Sequence, residues 1–136
     1  MNEDPPKWSV GRGPGGGELA IAWSLVEAVE GISALSRSCG IGGAQGWGLF
    51  VWRYRTSPRG YIVGPLERVG RGGILAATLE DALELRRQAD AERCWPESNM
   101  LVVWREGTRR AFMKHEAEAI LELERQAKRT PEIGGL

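Results

Sequence analysis

Histidine and cysteine are scarce in this chain of 136 residues. It has one histidine, His115, and two cysteines, Cys39 and Cys94, which do not form a C-x-x-C pair. These three residues make a poor set of soft metal ligands, and His115 lies in no H-E-x-x-H or E-x-x-H pattern. We therefore expect His115 to be solvent-exposed. The sequence predicts no metal, no cofactor and no catalytic set of residues, so it favours a protein that is not an enzyme.

Net charge and long apolar runs are also lacking. The 18 basic and 18 acidic residues balance, so no overall field attracts the chain to nucleic acid or to an anionic membrane. Apolar runs such as that from Leu19 to Trp23 are far too short to span a bilayer. The first residues, MNEDPPKW, lack the apolar core of a secretory signal. These observations favour a cytoplasmic protein that does not contact a membrane.

Glycine and tryptophan are abundant, with 19 and 6 residues. The most glycine-rich stretch, CGIGGAQGWG at 39–48, resembles a phosphate-binding loop only superficially. It has no G-K-[ST] ending, and a glutamine replaces the third glycine of a G-x-G-x-x-G pattern. A predicted helix precedes it and a predicted strand follows it, which is the reverse of the order in a dinucleotide-binding loop. We interpret the stretch as a connector, with an anion site on its backbone N–H groups as the alternative.

Two pairs of similar segments indicate an internal duplication. IAWSLVEAVE at 21–30 aligns with LAATLEDALE at 75–84, and VWR at 51–53 matches VWR at 103–105. A threonine follows the tryptophan of each VWR by four residues, at Thr56 and Thr108. The offsets, 54 and 52, are nearly equal, and the matches occur in the same order. We interpret them as two copies of a β-α-β unit.

Each copy contains signals for a strand, a helix and a second strand. Ser24 and Thr78 each have an acidic residue three positions later, as in an N-terminal capping box. We predict helices over about 25–37 and 79–93. Apolar strands precede them in ELAIAW and GILAA, and aromatic strands follow them in WGLFVWRYR and NMLVVWRE. For the first copy, one continuous helix from Glu18 to Arg37 is the alternative.

Two β-α-β units in tandem predict an α+β protein with a ferredoxin-like βαββαβ core. Its antiparallel sheet would carry both helices on one face, and its pseudo-twofold symmetry would make those helices antiparallel, with Cys39 and Cys94 at opposite ends. The SPRG turn would lead into an extra edge strand at YIV, and a C-terminal helix is predicted over 115–129.

The predicted domain covers residues 18–129. Its duplicated halves would span about 18–64 and 73–114, followed by the C-terminal helix at 115–129. Residues 1–17, which contain GRGPGGG, are predicted to be a flexible leader, and residues 130–136 a tail.

Both faces of the predicted sheet carry apolar side chains, because residues in a strand alternate between faces. Each aromatic strand has a row of large side chains on one face: Phe50, Trp52 and Tyr54 on the first, and Met100, Val102 and Trp104 on the second. With both helices on one side, the other face needs a cover. The C-terminal helix, a second protomer packed sheet to sheet, or another partner would supply it, unless these aromatic residues are ordinary core.

Basic residues concentrate between 48 and 73, where five arginines accompany a single glutamate. Tryptophan, tyrosine and arginine dominate the energetics of protein interfaces. We therefore predict a small, non-enzymatic protein-binding module, such as an inhibitor, an immunity protein or an anti-defence factor, that uses its aromatic and arginine-rich hairpins. The predicted partner-binding residues are Trp52, Arg53, Tyr54, Arg55, Arg59, Trp104, Arg105, Arg109 and Arg110.

Two other functions fit the same residues. A nucleic-acid-binding module would use the basic segment from Arg53 to Arg71 for phosphate contacts, although the predicted central strands offer only Trp23 for base stacking. A dimeric α+β barrel would act as a small-molecule binder or an enzyme, with an apolar pocket between sheet and helices. The sequence does not identify the partner.

Overall fold

The structure, a computed structural model, describes residues 4–40 and 48–129. In this part of the chain, six strands form one mixed sheet and three α-helices pack on it, so the α+β class is confirmed. The elements are β1 (Trp8–Gly11), β2 (Glu18–Ala22), α1 (Leu25–Cys39), β3 (Phe50–Arg53), β4 (Tyr61–Pro65), β5 (Gly73–Ala76), α2 (Leu79–Ala91), β6 (Leu101–Arg105) and α3 (Lys114–Arg129), with a 3-10 turn at Leu66–Arg68. The predicted tail at 130–136 and residues 41–47 of the glycine-rich stretch lie outside the described residues.

The first two helices begin at the predicted caps. The backbone N–H of Glu27 donates to Ser24 Oγ at 3.1 Å, and that of Asp81 donates to Thr78 Oγ1 at 3.1 Å. The Glu27 carboxylate reaches back as in a capping box, but it accepts from the N–H of Trp23, the residue before the cap, at 3.0 Å. The alternative of a continuous helix from Glu18 is wrong, because residues 18–22 form β2. None of the helices in the described ranges is long and apolar enough to cross a membrane.

The strand order is β2-β1-β3-β5-β4-β6, which is not the predicted ferredoxin-like order. That fold would place the strands before the two helices at the centre of the sheet, whereas β2 lies at an edge. The pairing of β3 with β5 is parallel, and the other four pairings are antiparallel. As a result β2, β3, β5 and β6 all point the same way. The helices α1 and α2 therefore run parallel to each other, and the prediction that they are antiparallel is wrong.

Each half of the sheet is built from the same four elements, a hairpin followed by a helix and a third strand. In the first half β1 lies between β2 and β3, and in the second half β4 lies between β5 and β6. The parallel β3–β5 pair joins the halves. Both halves thus have the strand order that a duplication requires, but the repeated unit is ββαβ rather than β-α-β.

The first strand of each unit was assigned incorrectly from the sequence. The expected flexible leader contributes β1, whose residues are all buried, and the expected edge strand at YIV is β4, which lies inside the sheet. The segments WSVG and YIVG are equivalent in the fold and lie 53 residues apart. The duplicated halves therefore begin at β1 and β4 rather than at residues 18 and 73.

All three helices pack on the same face of the sheet. The core on this face includes Trp8 and Val51 from the first half, Tyr61 and Val103 from the second, and Ala117 from α3. The predicted alternative in which the C-terminal helix covers the opposite face is therefore wrong. That opposite face is called the second face below.

The second face is nevertheless buried. Trp52, Leu75, Ile62 and Trp104 lie on neighbouring strands in one cluster, and Trp52 and Trp104 are 3% and 0% exposed. Val69, from the turn between β4 and β5, and Ala111, from the connector after β6, pack against this cluster. The sequence left open whether these tryptophans are core or a partner surface, and the structure places them in the core.

Candidate functional site

The third strand of each half ends in the same turn. Thr56 Oγ1 donates to the carbonyl oxygen of Arg53 at 2.8 Å, and Thr108 Oγ1 donates to that of Arg105 at 2.7 Å. One residue before each threonine the backbone is left-handed, with φ of 59° at Arg55 and 88° at Gly107. The turn explains why the two VWR segments share a threonine at the same distance.

Two equivalent pairs of an arginine and an aromatic ring lie beside these turns. Arg53 is directly opposite Trp8 in the sheet, and its Cζ lies 5.1 Å from the centroid of the tryptophan ring. Arg105 is directly opposite Tyr61, with 5.9 Å between Cζ and the ring centroid, and Phe112 lies at 6.0 Å. A ring face attracts a guanidinium within about 6 Å. The core residues Trp8 and Tyr61 thus hold two arginines on rigid supports.

Two further exposed arginines belong to the same end of the sheet. Arg55 lies 5.1 Å from the ring of half-buried Tyr54, and Arg59 forms a 3.3 Å ion pair with Glu106. We call Arg53, Arg55, Arg59 and Arg105 the arginine edge. Within residues 4–40 and 48–129, Arg59 has a carboxylate at ion-pair distance, whereas the other three arginines of this set have none.

A shallow cleft of about 330 Å³ opens at the arginine edge, where the parallel strands β3 and β5 end. Its lining includes Arg53, Thr56, Ser57 and Asp81. Crevices at the carboxyl ends of parallel strands are common binding sites in sheets with helices. Arg105 lies further along the edge, about 14 Å from Arg53, since three strand spacings of about 4.8 Å separate β3 from β6.

Several predicted site residues lie away from the arginine edge. Trp52 and Trp104 are buried under the second face, so their assignment to a partner-binding surface is wrong. Arg110 forms a 2.7 Å ion pair with Glu116 at the start of α3. Arg109 packs against the turn between β4 and β5, where a Cβ placed on Gly70 would lie 2.8 Å from its Cγ.

The basic segment from Arg53 to Arg71 is divided by the fold. Arg68 and Arg71 belong to the turn between β4 and β5, at the opposite end of β4 from Arg59. Burial lowers the pKa of the Arg68 guanidinium, and the positive charge of Arg71 lowers it further. Their run of positive charge in the sequence is therefore not one continuous patch on the surface.

Trp8 and Tyr61 support the site but were not predicted to belong to it. Both are the first residues of a first strand, one in a segment assigned to a leader and the other in an assumed edge strand. The match of WSVG with YIVG was the available signal. Tyr61 is also fixed from the other side, because its hydroxyl donates to Glu124 Oε2 of α3 at 3.0 Å. Burial, followed by the effect of Glu124, raises the pKa of Tyr61 despite the opposing effect of Arg105.

The scarce cysteine and histidine side chains form no reactive centre among the described residues. Cys94 is a free, buried cysteine, and burial raises the pKa of its thiol from 9.0 to about 11, with Glu92 and Glu30 acting in the same direction. It is therefore a neutral thiol at physiological pH. His115 is exposed, as predicted. The side chain of Cys39 lies outside the described part of the structure.

Comparison with known proteins returns no relative: no protein-family model, no curated protein and no solved structure matches the chain.

Proposed function

We propose that this chain is a protein-binding module and that its arginine edge holds an acidic segment of a partner protein. The observation that carries the proposal is the duplicated pair of ring-supported arginines, Arg53 on Trp8 and Arg105 on Tyr61. Both guanidinium groups are exposed, and neither has a carboxylate at ion-pair distance among the described residues. Each presents a fork of N–H donors that matches the geometry of a carboxylate. An inhibitor or an immunity protein would use such an edge to recognise one partner.

Nucleic acid fits this edge less well than an acidic peptide. Trp52 and Trp104 are internal and offer no ring face to a base. The first turn of α2 places the exposed carboxylate of Asp81 in the lining of the cleft beside Arg53. A long polyanion crossing the edge would meet this carboxylate, whereas a short acidic segment can contact the arginines and avoid it.

A dimeric barrel that encloses a small molecule has less support. Such a barrel needs an open apolar sheet face for the second protomer, and here Trp52 and Trp104 are already covered by segments of the same chain. The mostly apolar cleft of about 490 Å³ that Leu83, Val103 and Leu121 help to line is open to solvent rather than enclosed, and the cleft beside Arg53 is polar as well as apolar.

The geometry specifies the spacing of the acidic groups. Arg53 and Arg105 are about 14 Å apart, three strand spacings along the edge. An extended peptide advances about 3.4 Å per residue, so two carboxylates about four residues apart reach both guanidinium groups. The preferred ligand is therefore an extended segment in which acidic residues recur at that interval.

An array of acidic peptides with varied carboxylate spacing tests the proposal. We expect the tightest binding at a spacing of about four residues, and tighter binding than to single-stranded DNA of similar charge. Arg53→Gln and Arg105→Gln should each weaken peptide binding at least about tenfold, because a hydrogen bond to a charged group contributes about 1.5–3 kcal/mol. Arg87→Gln, on the exposed surface of α2, is the matched control. Equal binding by all three variants, or tighter binding to DNA, would refute the proposal.

A further inference from the structure

The second strands of the two halves have the same position in the repeat but different surroundings. Ile21 in β2 and Leu75 in β5 are equivalent residues, opposite Ser9 of β1 and Ile62 of β4. Leu75 is 2% exposed, since it packs in the second-face cluster with Trp52 of β3, which pairs with the outer edge of β5. Ile21 is 40% exposed, and among the described residues β2 pairs with β1 alone. The unit thus contains an edge that is paired in one half and open in the other.

The open edge carries more apolar surface than Ile21 alone. Leu19 is 45% exposed and Trp23 is 51% exposed. Large apolar side chains grouped along an unpaired strand favour pairing with another strand. The only charged residue of β2, Glu18, is engaged within its own chain, since its carboxylate accepts a hydrogen bond from the buried Ser9 hydroxyl. The edge is therefore chemically suited to a second apolar strand.

The opposite edge of the sheet is closed. After β6 the chain turns back, Ala111 forms a bridge with Trp104, and the N–H of Phe112 donates to the carbonyl oxygen of Val103 at 2.8 Å. The parallel contact that joins β3 to β5 therefore cannot be repeated between β6 of one copy and β2 of the next. Head-to-tail growth of the sheet is blocked, and a symmetric contact between two β2 strands remains.

We propose that two copies of the chain pair through their β2 strands, antiparallel and around a twofold axis at Ala20. This register extends the sheet across both protomers and keeps all helices on one face. Leu19 of each copy then lies opposite Ile21 of the other, and Glu18 lies opposite Ala22, so no like charges face each other. The contact uses the edge of β2 that corresponds to the edge of β5 paired with β3, and it closes after two copies. It does not depend on the arginine edge.

Sedimentation over a wide range of protein concentration tests this dimer. We expect a reversible monomer–dimer equilibrium for the unaltered chain. Ile21→Lys should raise the dimer dissociation constant at least about tenfold, since two buried isoleucine contacts are lost per dimer. Leu123→Lys changes an exposed leucine on α3, 63% exposed against 40% for Ile21, and should leave the equilibrium unchanged. A chain that stays monomeric at every concentration overturns the proposal and leaves the edge for a strand of another protein.

A charge exchange tests the register. In the proposed dimer, Leu19→Lys combined with Ile21→Glu in the same chain sets a lysine opposite a glutamate twice. That double variant should dimerise more tightly than either single variant, whereas Leu19→Lys with Ile21→Lys should not dimerise. Near-ultraviolet circular dichroism of each variant confirms that it remains folded. A Leu19→Lys, Ile21→Glu variant that dimerises no more tightly than the single variants would overturn the pairing around Ala20.

Discussion

Arg93 has a left-handed backbone at the end of α2, where the equivalent helix of the first half ends at a glycine. Replacing Arg93 with glycine should therefore stabilise the protein. The φ of Arg93 is 57°, and α1 ends instead at Gly40, with φ of 66°. The end of α2 has two reverse hydrogen bonds, from the N–H of Arg93 to the oxygen of Asp90 at 3.1 Å and from the N–H of Cys94 to the oxygen of Ala89 at 3.0 Å. These bonds form a Schellman motif, in which glycine is the preferred residue at the position of Arg93.

The expected gain is the balance of two opposing effects. A residue with a Cβ in the left-handed conformation costs about 1–2 kcal/mol relative to the right-handed one. Glycine also increases the freedom of the unfolded chain, which opposes folding by about 0.4–1 kcal/mol. Arg93→Gly should therefore raise the free energy of unfolding by about 0.5–1 kcal/mol, which brackets the difference between the midpoints of these ranges. For a chain of this size that corresponds to a rise in Tm of about 2–5 °C.

Urea and thermal unfolding of three proteins separate this effect from the loss of the arginine side chain. Arg93→Ala removes the same charged groups but keeps a Cβ, so its stability should stay close to that of the unaltered protein. Arg93→Gly should be the more stable of the two variants by about 0.5–1 kcal/mol. Equal stability of the two variants, or a less stable glycine variant, would mean that the left-handed backbone at Arg93 does not destabilise the protein.

Three other substitutions test the packing and the ionisation of the core. Glu124→Ala removes hydrogen bonds to the first turn of α2 at 3.1 Å and to a buried tyrosine hydroxyl at 3.0 Å. Urea unfolding should therefore show a loss of about 1–3 kcal/mol in the free energy of unfolding. As a control, Glu122→Ala on the exposed side of α3 should change it by less than about 0.5 kcal/mol. Trp104→Ala should cost about 3–5 kcal/mol in the same assay because the side chain is fully buried, and a cost as small as that of Trp23→Ala would contradict its place in the core. Burial raises the pKa of Cys94 from 9.0 to about 11, so the contribution of the protonated thiol to stability is complete below pH 9 and is lost as the pH rises through 11. Cys94→Ala should flatten the decline in unfolding free energy over that interval. An unchanged decline would show that other groups cause it.

Local signals in the sequence predicted the helices accurately. A cap depends on a hydroxyl and on backbone N–H groups within three residues, so Ser24 and Thr78 could be recognised without knowledge of the fold. The duplicated VWR-x-x-T segments were also recognised, because the turn that each threonine closes is local.

The strand order could not be read from the sequence, because it depends on pairings between distant segments. β1 is a short strand between prolines and a glycine-rich turn, and its composition resembles that of a linker. Without β1 and β4, the remaining strands fit the common βαββαβ arrangement, and the parallel contact of Val51 with Ile74 was not expected.

The candidate site was predicted in part for the same reason. Arg53, Arg55 and Arg105 were identified because they lie in or directly beside the aromatic strands of the predicted hairpins, and the structure shows them exposed at the ends of β3 and β6. The burial of Trp52 and Trp104 depends on segments that cross the second face from elsewhere in the chain, and alternation within a strand does not reveal them.

A nuclear magnetic resonance titration of the arginine side chains would show whether Arg53 and Arg105 bind one acidic segment together. The Nε–Hε signals of the protein would be followed while an extended acidic peptide with carboxylates four residues apart is added. We expect the signals of Arg53 and Arg105 to shift together and to saturate at the same peptide concentration, while those of Arg86 and Arg87 on α2 stay in place. Shifts confined to the α2 arginines, or no shift at Arg53 and Arg105 when the peptide binds, would contradict this expectation.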